Sequence, residues 1–546
     1  MEILSKTIAF VVPLLFFSFL LGKYIYHVFK QDKTWMRKGM EPFEKWVGKN
    51  RKEKKEENMN GKKYFLSILW FSVFCFLFFF GFLILQSFIQ KIKGQPITLS
   101  LTQIFNTVSS FVTNTNWQSY MGLRDISNWV KMIGMTVQNF LSAGIGICTL
   151  FALFRGITNR ETKNLGNFWK DLIHVILLIL LPLSILLSIL LVAGGVVQTF
   201  SSDETISTLE TKEEQVLPLG PVASQVAIKQ LGTNGGGFFR TNSAHPFENP
   251  TAITNYLECI SILLLPMSLL FTFGWVVKEK RQAKSLLLTV FVVLLICIGI
   301  VSGIESQNNN YEGKEVRFGI VDSSIWSVFT VSAANGSVNG VQESYHPLSI
   351  LVQLFLMGTG EVILGGVGSG LYTLFGYVII TVFVAGLMIG RTPEYLGKKI
   401  EPYEMKMAML LILATPFCIL VTSSILCLFP TSPLIDTSTQ HQFTQIFYAA
   451  TSTGANNGSS LGGFASGWFA DMLLGINMLI ARYVPIYATL ALAESFGKKK
   501  TIPVSTGTLS TTTPIFILLL IVMIILIGAL SFLPAYALGP LAEGLG

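Results

Sequence analysis

Long apolar runs separated by short polar stretches dominate the chain. Runs near 7–29, 64–90, 130–154, 172–199, 253–277, 285–303, 404–429, 468–494 and 513–537 each fit one membrane-crossing helix, since a hydrocarbon core of roughly 30 Å takes about 20 apolar residues. A tenth run, 348–390, is about twice that length. The polar stretches differ in charge. Of 39 Lys and Arg, 27 fall in residues 30–63, 155–170, 278–284, 391–406 and 498–500. These stretches alternate with 91–129, 200–252, 304–347 and 430–467, which hold few. Basic loops stay on the cytoplasmic side, so the pattern predicts those five inside, the other four segments outside, and both termini outside. The fold class expected is an all-α polytopic membrane protein with ten transmembrane helices.

Composition narrows the field. Of 546 residues, 51% are hydrophobic, 13% are charged and 42 are Phe. Soluble domains carry about 25% charged residues. The values exclude a soluble enzyme, a disordered chain and a nucleic-acid binder. The net charge of +8 reflects loops at the membrane edge. The 30–63 loop, six acids among twelve bases, reads as a solvated face or a dock for lipid or a partner chain. The six cysteines all lie in apolar runs without a C-x-x-C pair, so neither a metal site nor a disulfide framework is legible.

The four outer segments resemble one another. Each holds about ten residues able to form a short helix (101–111, 222–231, 323–332, 441–451), followed by Thr or Ser and then Asn with small residues. The turns centre on Asn114-Thr115-Asn116, Thr233-Asn234-Gly235, Asn335-Gly336 and Asn456-Asn457-Gly458. The unit is helix, re-entrant pore helix, turn, helix, repeated four times with pseudo-fourfold symmetry and one extra helix at each end. The domains expected are 1–63 (helix and basic loop), 64–171, 172–284, 285–403 and 404–500 (pore repeats one to four) and 501–546 (last helix). A cation entering a pore must exchange its water shell for oxygens, and main-chain carbonyls supply them where side chains do not intrude. Gly permits the required backbone angles and Asn tolerates left-handed geometry. The pore-helix C-terminus adds partial negative charge. The first turn departs from the pattern: residues 113–118 lack Gly and carry Trp117 and Gln118. One Asn-Gly cluster alone would be an ordinary surface turn; four on one side, each after a short apolar helix, point to a pore.

The double-length run is expected to cross once and break on the way, because two crossings would invert the basic loops that follow. Its break is Gly358-Thr359-Gly360-Glu361 through Gly365, Gly366, Gly368 and Gly370. Irregular backbone at membrane depth is tolerated only where protein or a watery cavity satisfies it. Its position predicts a gate below the pore, the alternative being a kinked long helix. Glu361 lies in this loop and Arg482 midway along the 468–494 helix. An Arg at the bilayer centre costs about 2.5–3.5 kcal/mol on insertion scales, so it should face a cavity or an acid. Both are candidate vestibule residues, Arg482 repelling a cation from the direct inward path and Glu361 attracting it; a structural ion pair between them is the alternative. ATP chemistry is missing. No G-x-x-x-x-G-K-[ST] occurs, and Asp32-Lys33-Thr34 continues with Trp35 where a phosphorylated P-type motif has Gly. The histidines (His27, His174, His245, His346, His441) show no ligand spacing, and no nucleophilic constellation is identifiable.

Thr113-Asn114-Thr115-Asn116-Trp117-Gln118, Gly232-Thr233-Asn234-Gly235-Gly236-Gly237-Phe238-Phe239 with Asn242 to Thr251, and Gly386 to Lys399 closely resemble the KdpA family, the potassium-binding subunits of bacterial Kdp potassium-transporting ATPases. The resemblance spans essentially the whole chain. It implies K+ as the transported ion, a bacterial cell membrane, and an assembly with a P-type ATPase catalytic subunit, a small assembly subunit and a single-span peptide. It implies a filter that takes potassium from outside and passes it through an intramembrane tunnel to the ATPase subunit. The filter role carries onto Asn114, Thr115, Asn116, Thr233, Asn234, Gly235, Asn335, Gly336, Asn456, Asn457 and Gly458. The rival is a stand-alone potassium channel or cation symporter of the Trk/Ktr/HKT type, which shares the four-repeat layout. A membrane scaffold without transport would not need four such turns.

Overall fold

A computed structural model describes the chain except residues 33–57, 121–124, 430–438 and 503–509 and positions 95, 202, 211, 389, 391, 463, 465 and 546. Most of the basic 30–63 loop therefore lies outside the described residues. Among the described residues, ten helices are long and apolar enough to cross a membrane. In chain order the helices are α1 (Glu2–Phe29), α2 (Gly61–Ile92), α3 (Leu101–Val112), α4 (Asn128–Thr158), α5 (Phe168–Ala193), α6 (Val222–Leu231), α7 (Ala252–Val276), α8 (Lys280–Asn308), α9 (Ile320–Ser332), α10 (Pro347–Gly358), α11 (Ser369–Met388), α12 (Pro402–Leu428), α13 (Thr439–Gly454), α14 (Trp468–Lys498) and α15 (Pro514–Leu545). Two small antiparallel hairpins, Glu204–Ser207 with Glu214–Leu217 and Glu394–Tyr395 with Lys398–Lys399, lie between helices.

Polar residues set the helix starts. Asn60 accepts the Lys63 amide at the head of α2, and Ser100 and Gln103 exchange bonds across the head of α3. Each satisfies an amide that has no intrahelical partner. Burial then sorts the helices. On α2 a stripe of Tyr64, Ile68, Cys75, Phe79 and Leu83 faces inward, while Trp70, Phe74 and Phe78 on the same helix are exposed. A helix apolar on every side, with one side facing out, fits a lipid environment rather than water. By contrast α4 and α7 are mostly buried and form the centre.

The order helix, short helix, turn, helix recurs as α2–α3–α4, α5–α6–α7, α8–α9–α10/α11 and α12–α13–α14, with α1 and α15 flanking. The closing helix of each repeat packs against the short helix of the next: α4 on α6, α7 on α9, α10 on α13, and α14 back on α3. The bundle thus closes on itself. Small residues bring the helices close. A side chain at Gly156 of α4 would strike the Ala493 backbone of α14, the small-residue crossing typical of membrane bundles. The same two helices are tied at their ends by Lys398, whose Nζ donates to the carbonyls of Gly156 (2.9 Å), Asn159 (2.5 Å) and Phe496 (2.7 Å). Burial, with Arg160 and Lys499 nearby, pushes this ammonium down to about 8.

The double-length apolar run is two helices. α10 is 12 residues, about 18 Å at 1.5 Å per residue, and α11 is 20 residues. The chain between Gly358 and Ser369 is non-helical and buried.

At the other end of the bundle His441, near the start of α13, holds α15 to the third repeat. Its Nδ1 lies 2.7 Å from Glu543 Oε1, and its Nε2 bonds Glu343 Oε1. Only the imidazolium can donate from both nitrogens. Hydrogen bonds to Glu343 and Glu543 raise its pKa from 6.5 to about 10. A raised pKa stabilises fully below the unfolded value of 6.5 and is lost as pH climbs through about 10. Thermal unfolding of the detergent-purified protein should therefore fall in midpoint between pH 6.5 and 10 more steeply than in His441→Gln. Parallel pH profiles for the two proteins would show that the tie contributes nothing.

Candidate functional site

The four turns share one geometry. After each short helix the amide five residues beyond a carbonyl closes back on it: Thr115 on Ser110 (2.9 Å), Asn234 on Lys229 (2.9 Å), Asn335 on Thr330 (2.9 Å) and Asn457 on Ser452 (2.8 Å). This aligns Thr113–Asn116, Gly232–Gly235, Ala333–Gly336 and Ala455–Gly458 residue by residue. The second position is left-handed in all four, with φ of 67° at Asn114, 49° at Thr233, 47° at Ala334 and 54° at Asn456. So is the fourth, with φ of 54° at Asn116, 82° at Gly235, 80° at Gly336 and 99° at Gly458. Left-handed Thr and Ala are uncommon, and holding the same angles four times requires outside bracing.

The bracing comes from the neighbouring repeats. Asn114 Nδ2 donates to the carbonyls of Gly232 (3.3 Å) and Thr233 (2.9 Å). Asn335 Nδ2 donates to the Lys229 carbonyl (3.1 Å), Asn457 Nδ2 to that of Thr330 (3.0 Å), and Asn456 Nδ2 to Thr115 Oγ1 (2.9 Å). Repeat 1 therefore holds 2, repeat 3 holds 2, 4 holds 3, and 4 holds 1. Backbone contacts close the same ring: a Cβ at Gly235 would overlap the Asn335 carbonyl, one at Gly336 that of Asn457, and one at Gly458 that of Thr115. Turn 1 carries Asn116 where the others have Gly. Room for it comes from Gly236 across the seam, where an added Cβ would lie 2.8 Å from Asn116 Cβ. Trp117 points away from the ring into a cluster with Leu426, Ile446 and Met478.

All eleven turn residues singled out from the sequence are thus brought together, and each is buried except Gly458, which is half-buried. The asparagines serve two purposes, left-handed backbone at Asn114, Asn116 and Asn456 and cross-repeat donation at Asn114, Asn335, Asn456 and Asn457. Each short helix aims its carbonyl end at its turn, adding partial negative charge there.

The loop between α10 and α11 lies directly against this ring. The Val367 amide donates to Thr233 Oγ1 (3.0 Å), and an added Cβ on Gly366 would sit 3.5 Å from the Ala333 carbonyl. Gly365, Gly366 and Gly368 let the loop fold tightly on itself and on α4: side chains there would meet Glu361, Ser369 and the Gly146 carbonyl. Glu361 is left-handed (φ 63°), buried, and accepts from Ser369 Oγ (2.6 Å). Arg482 is also buried, with Nη2 beside Gly146 of α4. It acts electrostatically on Glu361, yet among the described residues no ion pair within 4.0 Å joins them. A narrow apolar crevice flanks the loop, lined by Leu364, Gly368, Pro266, Leu270 and Val290.

Sequence reasoning missed several contributors. Val367 uses only its backbone, which no side-chain pattern reveals. Asn139 and Ser142 of α4 hold Asn116 and Asn114 through Oδ1 and Oγ at 2.8 Å each. Asn242 donates from Nδ2 to the Gly235 carbonyl (2.5 Å). Polar residues inside an otherwise apolar run were the available signal for the first pair.

Comparison with known proteins places the chain. Residues 8–545 match the family described as KdpA, potassium-transporting ATPase A subunit. A potassium-transporting ATPase potassium-binding subunit of Clostridium perfringens is 48% identical, covering 98% of this chain and 97% of that one. Its counterpart from Listeria monocytogenes is 46% identical over 99% and 98%. Among solved structures, the potassium transporter TrkH of Vibrio parahaemolyticus is 16% identical with a TM-score of 0.49, covering 71% of this chain and 77% of that one.

Proposed function

Because the chain belongs to the KdpA family of potassium-transporting ATPase A subunits, we propose that it is the channel-like, potassium-binding subunit of an ATP-driven uptake complex. Potassium enters from outside and is held by the ring of four turns. The observation that carries this reading is the shared pair of left-handed positions in four turns that brace one another in a closed ring. Alternating left- and right-handed residues turn successive carbonyls to the same side, so Asn114, Thr115, Asn116, Thr233, Asn234, Gly235, Asn335, Gly336, Asn456, Asn457 and Gly458 offer main-chain oxygens to a desolvated cation. Four short-helix ends add to the attraction.

ATP hydrolysis then belongs to a P-type ATPase catalytic subunit, assembled with a small assembly subunit and a single-span peptide in the plasma membrane. The basic loops face the cytoplasm and the filter turns face outside. The α10–α11 loop is the gate beneath the filter, a role supported by the Val367–Thr233 bond. Arg482 repels the ion from the straight route inward and Glu361 draws it, so that it leaves sideways through an intramembrane tunnel toward the catalytic subunit. Arg482 supports this role, since a buried guanidinium without an ion-pair partner among the described residues keeps its full charge for the vestibule.

Gly235→Asp forces a side chain into the Asn335 carbonyl, so turn 2 must move and the ring of carbonyls is distorted. Potassium half-saturation of uptake by the assembled complex should rise at least about tenfold because displaced carbonyls no longer replace the ion's water shell, with weaker discrimination against Na+ and Cs+; wild-type selectivity in this variant would count against the filter. For the gate, Arg482→Ala should permit ATP-independent potassium leak and Glu361→Gln should slow ATP-driven uptake. Unchanged transport in both variants would remove the gate. A purified chain that conducts potassium without its partners would favour the stand-alone channel instead.

A further inference from the structure

We infer that Lys229, Asn242 and Glu248 form a positioning device behind the second turn, setting both the affinity and the sodium exclusion of the ring; this deepens, and rests on, the filter reading above. Lys229 lies on α6, seven residues into a short buried helix, and its side chain is 0% exposed. Its Nζ donates to Asn242 Oδ1 (2.7 Å), Ser243 Oγ (2.8 Å) and Glu248 Oε2 (2.5 Å). Three bonds saturate an ammonium. The other Glu248 oxygen accepts the Phe239 amide (2.7 Å), so the acid is anchored as well as paired.

The ammonium fixes the direction of the Asn242 amide. A lysine can only donate, so Asn242 must turn its oxygen toward Lys229 and its nitrogen the other way. That nitrogen donates to the Gly235 carbonyl (2.5 Å). Asn242 itself sits in left-handed backbone (φ 57°), which returns its side chain toward the turn. The Lys229 main chain acts on the same place, its carbonyl accepting the Asn234 amide (2.9 Å), the Gly235 amide (3.4 Å) and Asn335 Nδ2 (3.1 Å). One residue thus holds turn 2 by its backbone, turn 3 through Asn335, and the Gly235 carbonyl through Asn242.

No other repeat is built this way. The residues equivalent to Lys229 are Ser110, Thr330 and Ser452, all neutral. Among the described residues no side chain donates to the carbonyls of Asn116, Gly336 or Gly458, which stand where Gly235 stands. Two consequences follow. A tethered carbonyl cannot follow a smaller ion inward, so the ring resists shrinking onto sodium. Glu248 pairs directly with the ammonium, while Glu258 stands one bond further, accepting from Ser243 Oγ (2.7 Å); without Glu248 the buried positive charge behind the ring would lose its direct partner and oppose cation binding.

The two effects separate by mutation. In the assembled complex, Glu248→Gln should raise potassium half-saturation about tenfold, the order expected for one uncompensated charge at effective dielectric about 20. Lys229→Met with Glu248→Gln removes both charges; half-saturation should return to within about threefold of wild type, while sodium discrimination is lost because nothing then orients Asn242. Asn242→Leu should lower potassium-over-sodium discrimination about fivefold or more, since the tether alone is cut. A merely structural role predicts the reverse order, with the double variant at least as impaired as Glu248→Gln. The inference is overturned if the double variant recovers no affinity, or if Asn242→Leu reaches the membrane with wild-type discrimination. Should Glu248→Gln fail to accumulate, the double variant alone decides, by near-normal affinity with lost discrimination or by neither. Potassium chloride titration of wild-type thermal unfolding, against choline chloride, tests the ring separately. A wild type that binds no potassium would sink the filter itself, whereas binding in wild type with the wrong order among variants would sink only the device.

Discussion

Inside a bilayer a peptide group without a partner costs several kcal/mol, and this chain brings five non-helical segments into its buried centre: four turns and the α10–α11 loop. Every other feature of the core answers that demand. The amides of the third turn positions return to their own short helices. Cross-repeat side chains then satisfy the exposed helix-end carbonyls at Lys229 and Thr330. Because each brace comes from a neighbour, no turn is complete alone, and the ring forms as a unit. The α10–α11 loop is subject to the same demand and is docked on Thr233 through its Val367 amide.

Much of this was legible in the chain. Apolar run lengths located ten crossings, and Gly235, Gly336 and Gly458 marked left-handed positions because no Cβ fits beside the next carbonyl. The double-length run was read as a broken helix, and the structure splits it between Gly358 and Ser369. Left-handed Thr233 and Ala334 were not legible. Local preference opposes that geometry in both residue types, and bonds from Asn114 and the rest of the ring override it. The exchange of Asn116 for glycine was equally hidden, since the space it needs is supplied by Gly236, more than a hundred residues away. Lys229 could have been noticed as a lone charge in an apolar helix. Its partners Asn242 and Glu248 are set by a turn whose path the spacing does not reveal.

Departures from fourfold symmetry are concentrated where different tasks fall on different repeats. Among the described residues, repeat 2 alone holds an ammonium behind its turn and repeat 3 alone has a divided second helix; repeat 4 carries Arg482 on its closing helix and is tied at its short-helix end to α15 by His441. A homotetrameric ring would have to place any such device four times. Duplication within one chain frees each copy to diverge, while the shared turn geometry is kept because the neighbours depend on it.

The placement of charge has its own logic. At an effective dielectric of 20, two unit charges 4 Å apart interact by about 4 kcal/mol. A carboxylate reaching the ion in an otherwise undistorted ring would therefore hold it by an extra factor of roughly a thousand, and release would become the slow step. The residues of the ring are neutral, and titratable groups stand one layer back: Lys229 with Glu248 behind turn 2, Glu361 in the α10–α11 loop and Arg482 on α14. Carbonyl dipoles are strong enough to replace water and weak enough to let go. In the proposed function, charges at one remove bias direction without trapping the ion. A neutral ring with charged walls is what a subunit needs if it must bind a scarce ion and still hand it on.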